Sequence, residues 1–163
     1  MGRILVAGLG NTYMGDDGFG PAVIERLQRR ALPENVEVRD VGTCGVTLAP
    51  DLDEYELVIF VDAVHRGGKV GTIYRSEIKA EEVKELESGD PMRSLTFSLH
   101  GTGLEEILSY AKTVGTIPPR AIVFGCEIAE TALGDGLSAA VEVAVPTVVE
   151  RILDELQWYG ERE

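Results

Sequence analysis

Acidic side chains in this chain fall where apolar runs end. Asp16 and Asp17 come shortly after Ile4–Ala7 and its closing Gly8-Leu9-Gly10-Asn11. Asp40 sits near the end of Val36–Val41 and is followed by Gly42-Thr43, and Asp62 directly follows Val58–Val61. Further on, Ser98-Leu99-His100-Gly101 supplies an imidazole. Open α/β sheets collect their ligands beyond the carboxyl ends of the strands, so these positions can share one cleft. Three carboxylates and an imidazole converging there would suit a divalent transition metal. Each residue also has a plainer reading. Asp16 or Asp17 can cap or charge the start of a helix. Asp62 can be a turn residue, Asp40 can bond the backbone of its own Gly42-Thr43-Cys44-Gly45 turn, and His100 can be a packed loop histidine. His65, three residues past Asp62 and beside Arg66-Gly67, is expected to be exposed.

A second chemistry competes for the first loop. Gly8-x-Gly10 after a strand is the beginning of a dinucleotide fingerprint, and Asp40 stands where a ribose-binding acid would. Tyr13 occupies the position of the third glycine, however, and Asp16-Asp17 would repel a pyrophosphate. Cys44 and Cys126 lie far apart without CxxC spacing, which excludes a disulfide framework and a four-cysteine zinc site. Both are read as small buried apolar residues.

The elements that must position these groups follow from the apolar pattern. Strands are expected at Arg3–Ala7, Val36–Val41, Glu56–Val61, Val70–Arg75 and Arg120–Cys126, the third covered on both faces because 58–61 are all apolar. A helix is expected from about Gly18 to Arg30, with Pro21 in its first turn and Phe19, Val23, Ile24 and Leu27 on one face. A short helix can occupy Val46–Asp53, and Lys79–Gly89 reads as a solvated helix or loop. Gly103–Lys112 is helical in phase, and a last helix over Ser138–Gln157 should kink or split at Pro146. Strands alternating with helices make a three-layer α/β/α domain over residues 1–163, with a twisted, mostly parallel five-stranded sheet.

Composition narrows the function. The 163 residues are 44% hydrophobic and 26% charged, as in an ordinary globular domain. With 15 Lys+Arg against 28 Asp+Glu the formal charge is −13, which disfavours nucleic acid and anionic membrane surfaces as partners. The apolar runs are too short to span a bilayer or to form a signal-peptide core, which leads to the expectation of a soluble cytoplasmic protein.

In order along the chain, GLGNTYMGDDGFG (8–20), DVGTCG (40–45), VDAV (61–64) and SLHGTGL (98–104) resemble the hydrogenase maturation proteases, with a wording close to archaeal relatives. The resemblance spans nearly the whole chain. It implies an aspartic-type endopeptidase that trims the C-terminal extension of a [NiFe] hydrogenase large-subunit precursor after nickel insertion. The metal ligands it implies are Asp17, Asp62 and His100. Asp40 is implied as a contributor to catalysis or substrate recognition, and Asp17, Asp62 or Asp40, or a metal-bound water, could supply the water activation. Nickel would arrive with the substrate, and no tightly bound organic cofactor is expected. Two departures stand out. The first ligand is often Glu in this family, so that here either Asp16 or Asp17 could reach the metal. Relatives often carry Gln-Pro or Glu-Pro after the last strand, where this chain has Glu127-Ile128. A non-catalytic nickel-binding chaperone and a nucleotide-binding domain remain as alternatives, and the oligomeric state is open.

Overall fold

The computed structural model describes residues 2–85, 103–129, 133–134 and 136–162. Among them five strands, β1 (Ile4–Leu9), β2 (Val36–Gly42), β3 (Leu57–Val64), β4 (Ile73–Ile78) and β5 (Arg120–Glu127), form one sheet in the order β2-β1-β3-β5-β4. β2, β1, β3 and β5 run parallel, and β4 is an antiparallel edge strand on β5. Helices α1 (Phe19–Leu27), α2 (Leu104–Val114) and α3 (Ala139–Glu161) build the outer layers, together with a 3-10 helix over Gly45–Glu54.

Strand periodicity divides the core in two. Ile4 and Val6 of β1 and Leu57, Ile59 and Val61 of β3 point to one face, where Phe19, Val23, Ile24 and Leu27 of α1 and the apolar stripe of α3 cover them. Leu5, Ala7 and Leu9, with Val58 and Phe60, point to the other face, beneath the Gly45–Glu54 segment and α2. The apolar runs of both central strands are therefore fully buried, as continuous apolar runs require. Alternation carries Asp62 onto the same face as Val58 and Phe60, at the point where the sheet meets solvent.

The start of α1 lies directly on the sheet because glycines permit it. A Cβ on Gly20 would run into the Leu9 carbonyl and come within 2.7 Å of the Val61 carbonyl. One on Gly8 would overlap the Ile24 side chain and lie 2.8 Å from the Gly20 carbonyl. Gly8 of β1 and Gly20 of α1 thus serve helix-to-strand approach.

Several expected boundaries move. The strand expected at Val70–Arg75 forms at Ile73–Ile78, after a turn that includes Gly71 at φ +93°. Gly18 belongs to a 3-10 turn over Gly15–Gly18, so α1 begins at Phe19 and ends at Leu27. Pro146 does not split the last helix, which continues to Glu161. Pro146 is exposed, so the carbonyl one turn earlier can turn to water, while buried Val141, Val145, Val148 and Val149 hold the segment on the core. Cys126 is buried as expected, but Cys44 is exposed in the turn after β2, where its N–H donates to the Val41 carbonyl. Of Lys79–Gly89, residues 80–82 form one 3-10 turn and 86–89 lie outside the described residues. No described helix is long and apolar enough to cross a membrane.

Candidate active site

Asp17, on the turn after β1, lies close enough to Asp62, near the end of β3, for its charge to act on that carboxylate. Asp17 stands on the Gly15–Gly18 turn, and its Oδ2 accepts the Asn11 N–H at 2.8 Å. Asn11 is itself set by an Asx turn, its Oδ1 accepting the Tyr13 N–H at 2.9 Å. Gly10, at φ +128°, is where β1 turns into this loop; a Cβ there would collide with the Asp17 carbonyl. The Gly10 N–H donates to the Gly42 carbonyl at 3.1 Å, joining the ends of β1 and β2. The loop backbone thus turns an N–H toward the Asp17 carboxylate. In a dinucleotide site such an N–H would be offered to phosphate, and here the carboxylate takes its place.

Asp62 is held off water by the end of the sheet, and its Oδ1 accepts the adjacent Ala63 N–H at 2.9 Å. Burial, and then repulsion from the Asp17 carboxylate, push its pKa up from 3.8 to about 7, against the Ala63 bond that lowers it. Two carboxylates placed so that one resists ionisation until neutrality form a pair that a cation would relieve, and a group that can exchange a proton near neutral pH.

The neighbouring acids do other work. Asp16 is buried, and its two oxygens accept the Ser138 N–H at 2.6 Å and the Ser138 Oγ–H at 2.9 Å. Ser138 precedes α3, so Asp16 brings negative charge to the positive end of that helix and ties the Asp17 turn to it. Backbone bonds from Gly15 to Gly134 and from Gly134 to Tyr13 hold the same turn. Of the two adjacent aspartates, Asp17 is the one whose carboxylate acts on Asp62. Asp40 is exposed and accepts the N–H of Gly42 at 3.0 Å, the turn-forming contact anticipated for it. It also lines a cavity of about 370 Å³ beside α1, with Gly15, Gly18 and Leu137. His65 is exposed. His100 lies outside the described residues, and among the described residues no three His, Cys, Asp or Glu side chains are grouped to hold a metal.

One buried acid escaped the sequence reading. Glu127 is 2% exposed, and its carboxylate accepts the Arg66 N–H at 2.8 and 3.0 Å and the Gly68 N–H as well. The signal was the same as for Asp62, an acid directly after an apolar strand, here Ala121–Cys126.

Known proteins with this sequence pattern share the architecture. Residues 21–155 match the hydrogenase maturation protease family model. The chain is 34% identical over 160 residues to the hydrogenase expression/formation protein HupD of Rhodobacter capsulatus, covering 97% of this chain and 73% of that protein. It is 31% identical over 160 residues to the hydrogenase 2 maturation protease of Escherichia coli, covering 97% and 93%. Among solved structures, the hydrogenase 2 maturation peptidase of a Thaumarchaeota archaeon superposes with a TM-score of 0.72 at 38% identity, covering 94% of this chain and 97% of that one. The [NiFe] hydrogenase maturation protease HycI of Thermococcus kodakarensis superposes with a TM-score of 0.70 at 28% identity, covering 95% and 92%. A family match over most of the chain, with a five-stranded α/β architecture shared by solved members, establishes that this chain belongs to the hydrogenase maturation protease family.

Proposed function

We propose that this protein works in the cytoplasm as the endopeptidase that removes the C-terminal extension of a [NiFe] hydrogenase large-subunit precursor, and that it recognises the nickel already installed there. The observation that carries this reading is the match of residues 21–155 to the hydrogenase maturation protease family, and the repulsion between the Asp17 and Asp62 carboxylates supports it. Such a pair is unfavourable alone and becomes favourable when a cation enters. Oxygen donors alone suit hard cations, whereas an added imidazole shifts preference toward nickel. His100 is assigned as that third ligand by its place in Ser98-Leu99-His100-Gly101.

Nickel is then part of the substrate. Its arrival at Asp17, Asp62 and His100 would hold the tail at the cleft and convert a bimolecular encounter into an oriented one. With nickel present Asp62 would be held ionised, and a carboxylate of Asp17, Asp62 or Asp40 would take a proton from the attacking water and return it to the leaving amine. Asp40, near the cavity beside α1, is assigned to contact the tail rather than the metal.

The test is to incubate enzyme with nickel-loaded precursor, nickel-free precursor and a synthetic tail peptide, and to follow the masses. Only the nickel-loaded precursor should be shortened, and Asp62→Ala or His100→Ala should abolish the cut. Efficient cleavage of nickel-free precursor or of free peptide would overturn nickel recognition while leaving proteolysis intact. Tight binding of loaded precursor with no product would favour a nickel-inspecting chaperone.

A further inference from the structure

The turn between β3 and β4 is shaped by a buried anion and presents cations. Arg66 and Lys69 supply two exposed cations within a five-residue turn that begins at the exposed His65, in a chain with a formal charge of −13. Six arginines elsewhere, Arg3, Arg29, Arg30, Arg39, Arg75 and Arg120, each pair with glutamate, while Arg26, Arg151 and Arg162 do not among the described residues. Among the described residues, no ion pair of this kind engages His65, Arg66 or Lys69. The Arg66 guanidinium instead lies 5.3 Å from the Tyr74 ring centre, a contact that leaves its charge available.

The backbone of this turn is fixed from beneath. Glu127 accepts the Arg66 and Gly68 N–H groups with its carboxylate, while its own carbonyl accepts the Gly71 N–H at 2.8 Å and its N–H donates to the Thr72 carbonyl at 2.8 Å. Gly67, at φ +78°, supplies the left-handed residue between the two clamped amides. A carboxylate 2% exposed and bonded to backbone N–H groups is costly to bury, so it fixes a defined turn where a loose one would have sufficed for connection. That turn begins three residues after Asp62, at the same end of the sheet.

We infer that the 65–69 turn is a docking contact for a carboxylate-bearing surface of the folded precursor, and that Glu127 is the positioning residue that holds its shape. This rests on the precursor being the substrate. The net acidic surface repels such a partner; Arg66 and Lys69 offer it two local cations beside the active site, which gives both attraction and register.

The experiment measures both Kd and KM for nickel-loaded precursor at about 50 mM and about 500 mM salt. Relative to wild type, the double variant Arg66→Ala/Lys69→Ala should raise Kd and KM about tenfold at low salt and less at high salt, with kcat unchanged. Arg66→Lys should restore most of the affinity. Glu127→Gln, which places an amide N–H against a backbone N–H donor, should raise KM without altering any surface cation and should speed hydrogen exchange at Arg66 and Gly68. Wild-type Kd, KM and salt dependence in the double variant would overturn the inference. A salt-dependent loss of binding in that variant, with no cleavage by wild type, would support the docking surface and refute the proteolytic reading instead.

Discussion

Replacing Asp62 with asparagine should remove a stability loss that the wild type suffers as pH rises, and should leave the protein inactive. The carboxyl of Asp62 titrates at 3.8 when unperturbed and at about 7 in the fold. Its folded pKa is raised, so between those values the native state holds a proton that the unfolded chain has released. Stability therefore falls as pH rises through this window, and the loss is complete above about pH 8. At 1.36 kcal/mol per pH unit the full interval corresponds to about 4 kcal/mol. Because Asp62 is only half-buried, solvent screening should leave roughly 2 kcal/mol of it measurable. The amide of the Asp62→Asn variant cannot ionise and lacks this slope, whereas every other group titrates nearly alike in both proteins. The difference in unfolding free energy, from urea titrations at pH 4 to 8.5 without metal, should start near zero and grow to roughly 2 kcal/mol in favour of the variant. A difference that does not change with pH, or a variant less stable than wild type at pH 8, would refute the assignment of Asp62 as an ion held at unfavourable cost for function.

Asp17→Asn removes the repulsion on Asp62, so the wild-type pH slope should flatten in this variant and precursor processing should cease; an unchanged slope in urea titrations would separate the two carboxylates. Asp16→Ala, by contrast, strips the N–H and hydroxyl of Ser138 of their acceptor and should cost about 2–3 kcal/mol of stability, read as a shift in urea midpoint. Gly20→Ala drives a methyl into the carbonyls of Leu9 and Val61 and should destabilise by about 3 kcal/mol, checked by thermal unfolding.

The inner sheet was legible because its strands are buried on both faces. Ile4–Ala7 and Val58–Val61 leave no other element in which so many consecutive apolar side chains could be satisfied. Helix faces were legible for the same reason: Phe19, Val23, Ile24 and Leu27 all reach the core. The edge was not. Ile73–Ile78 mixes Tyr74, Arg75 and Glu77 in an edge strand with a neighbour on one side only, and its register is fixed by pairing with β5, from Ile73 opposite Cys126 to Ile78 opposite Ala121. Pairing across such a separation leaves no mark on local periodicity. Likewise the sequence placed Asp16 and Asp17 together but could not assign them, because the partner of Asp16, Ser138, is 122 residues away.

That division between neighbouring aspartates explains how the site tolerates its own repulsion. Asp17 and Asp62 repel each other, and a loop free to relax would move Asp17 outward. The Gly15–Gly18 turn is not free. Asp16 is bonded to the start of α3, Gly15 to Gly134, and the Asp17 carboxylate to the Asn11 N–H. On the opposite side, β3 is flanked by β1 and β5, with Asp62 itself in register with Gly125. The backbone beneath each carboxylate is thus held by contacts that do not depend on the repulsion between them. The energy of bringing them together is then available to a cation when one arrives, because binding relieves repulsion without first requiring the backbone to be ordered.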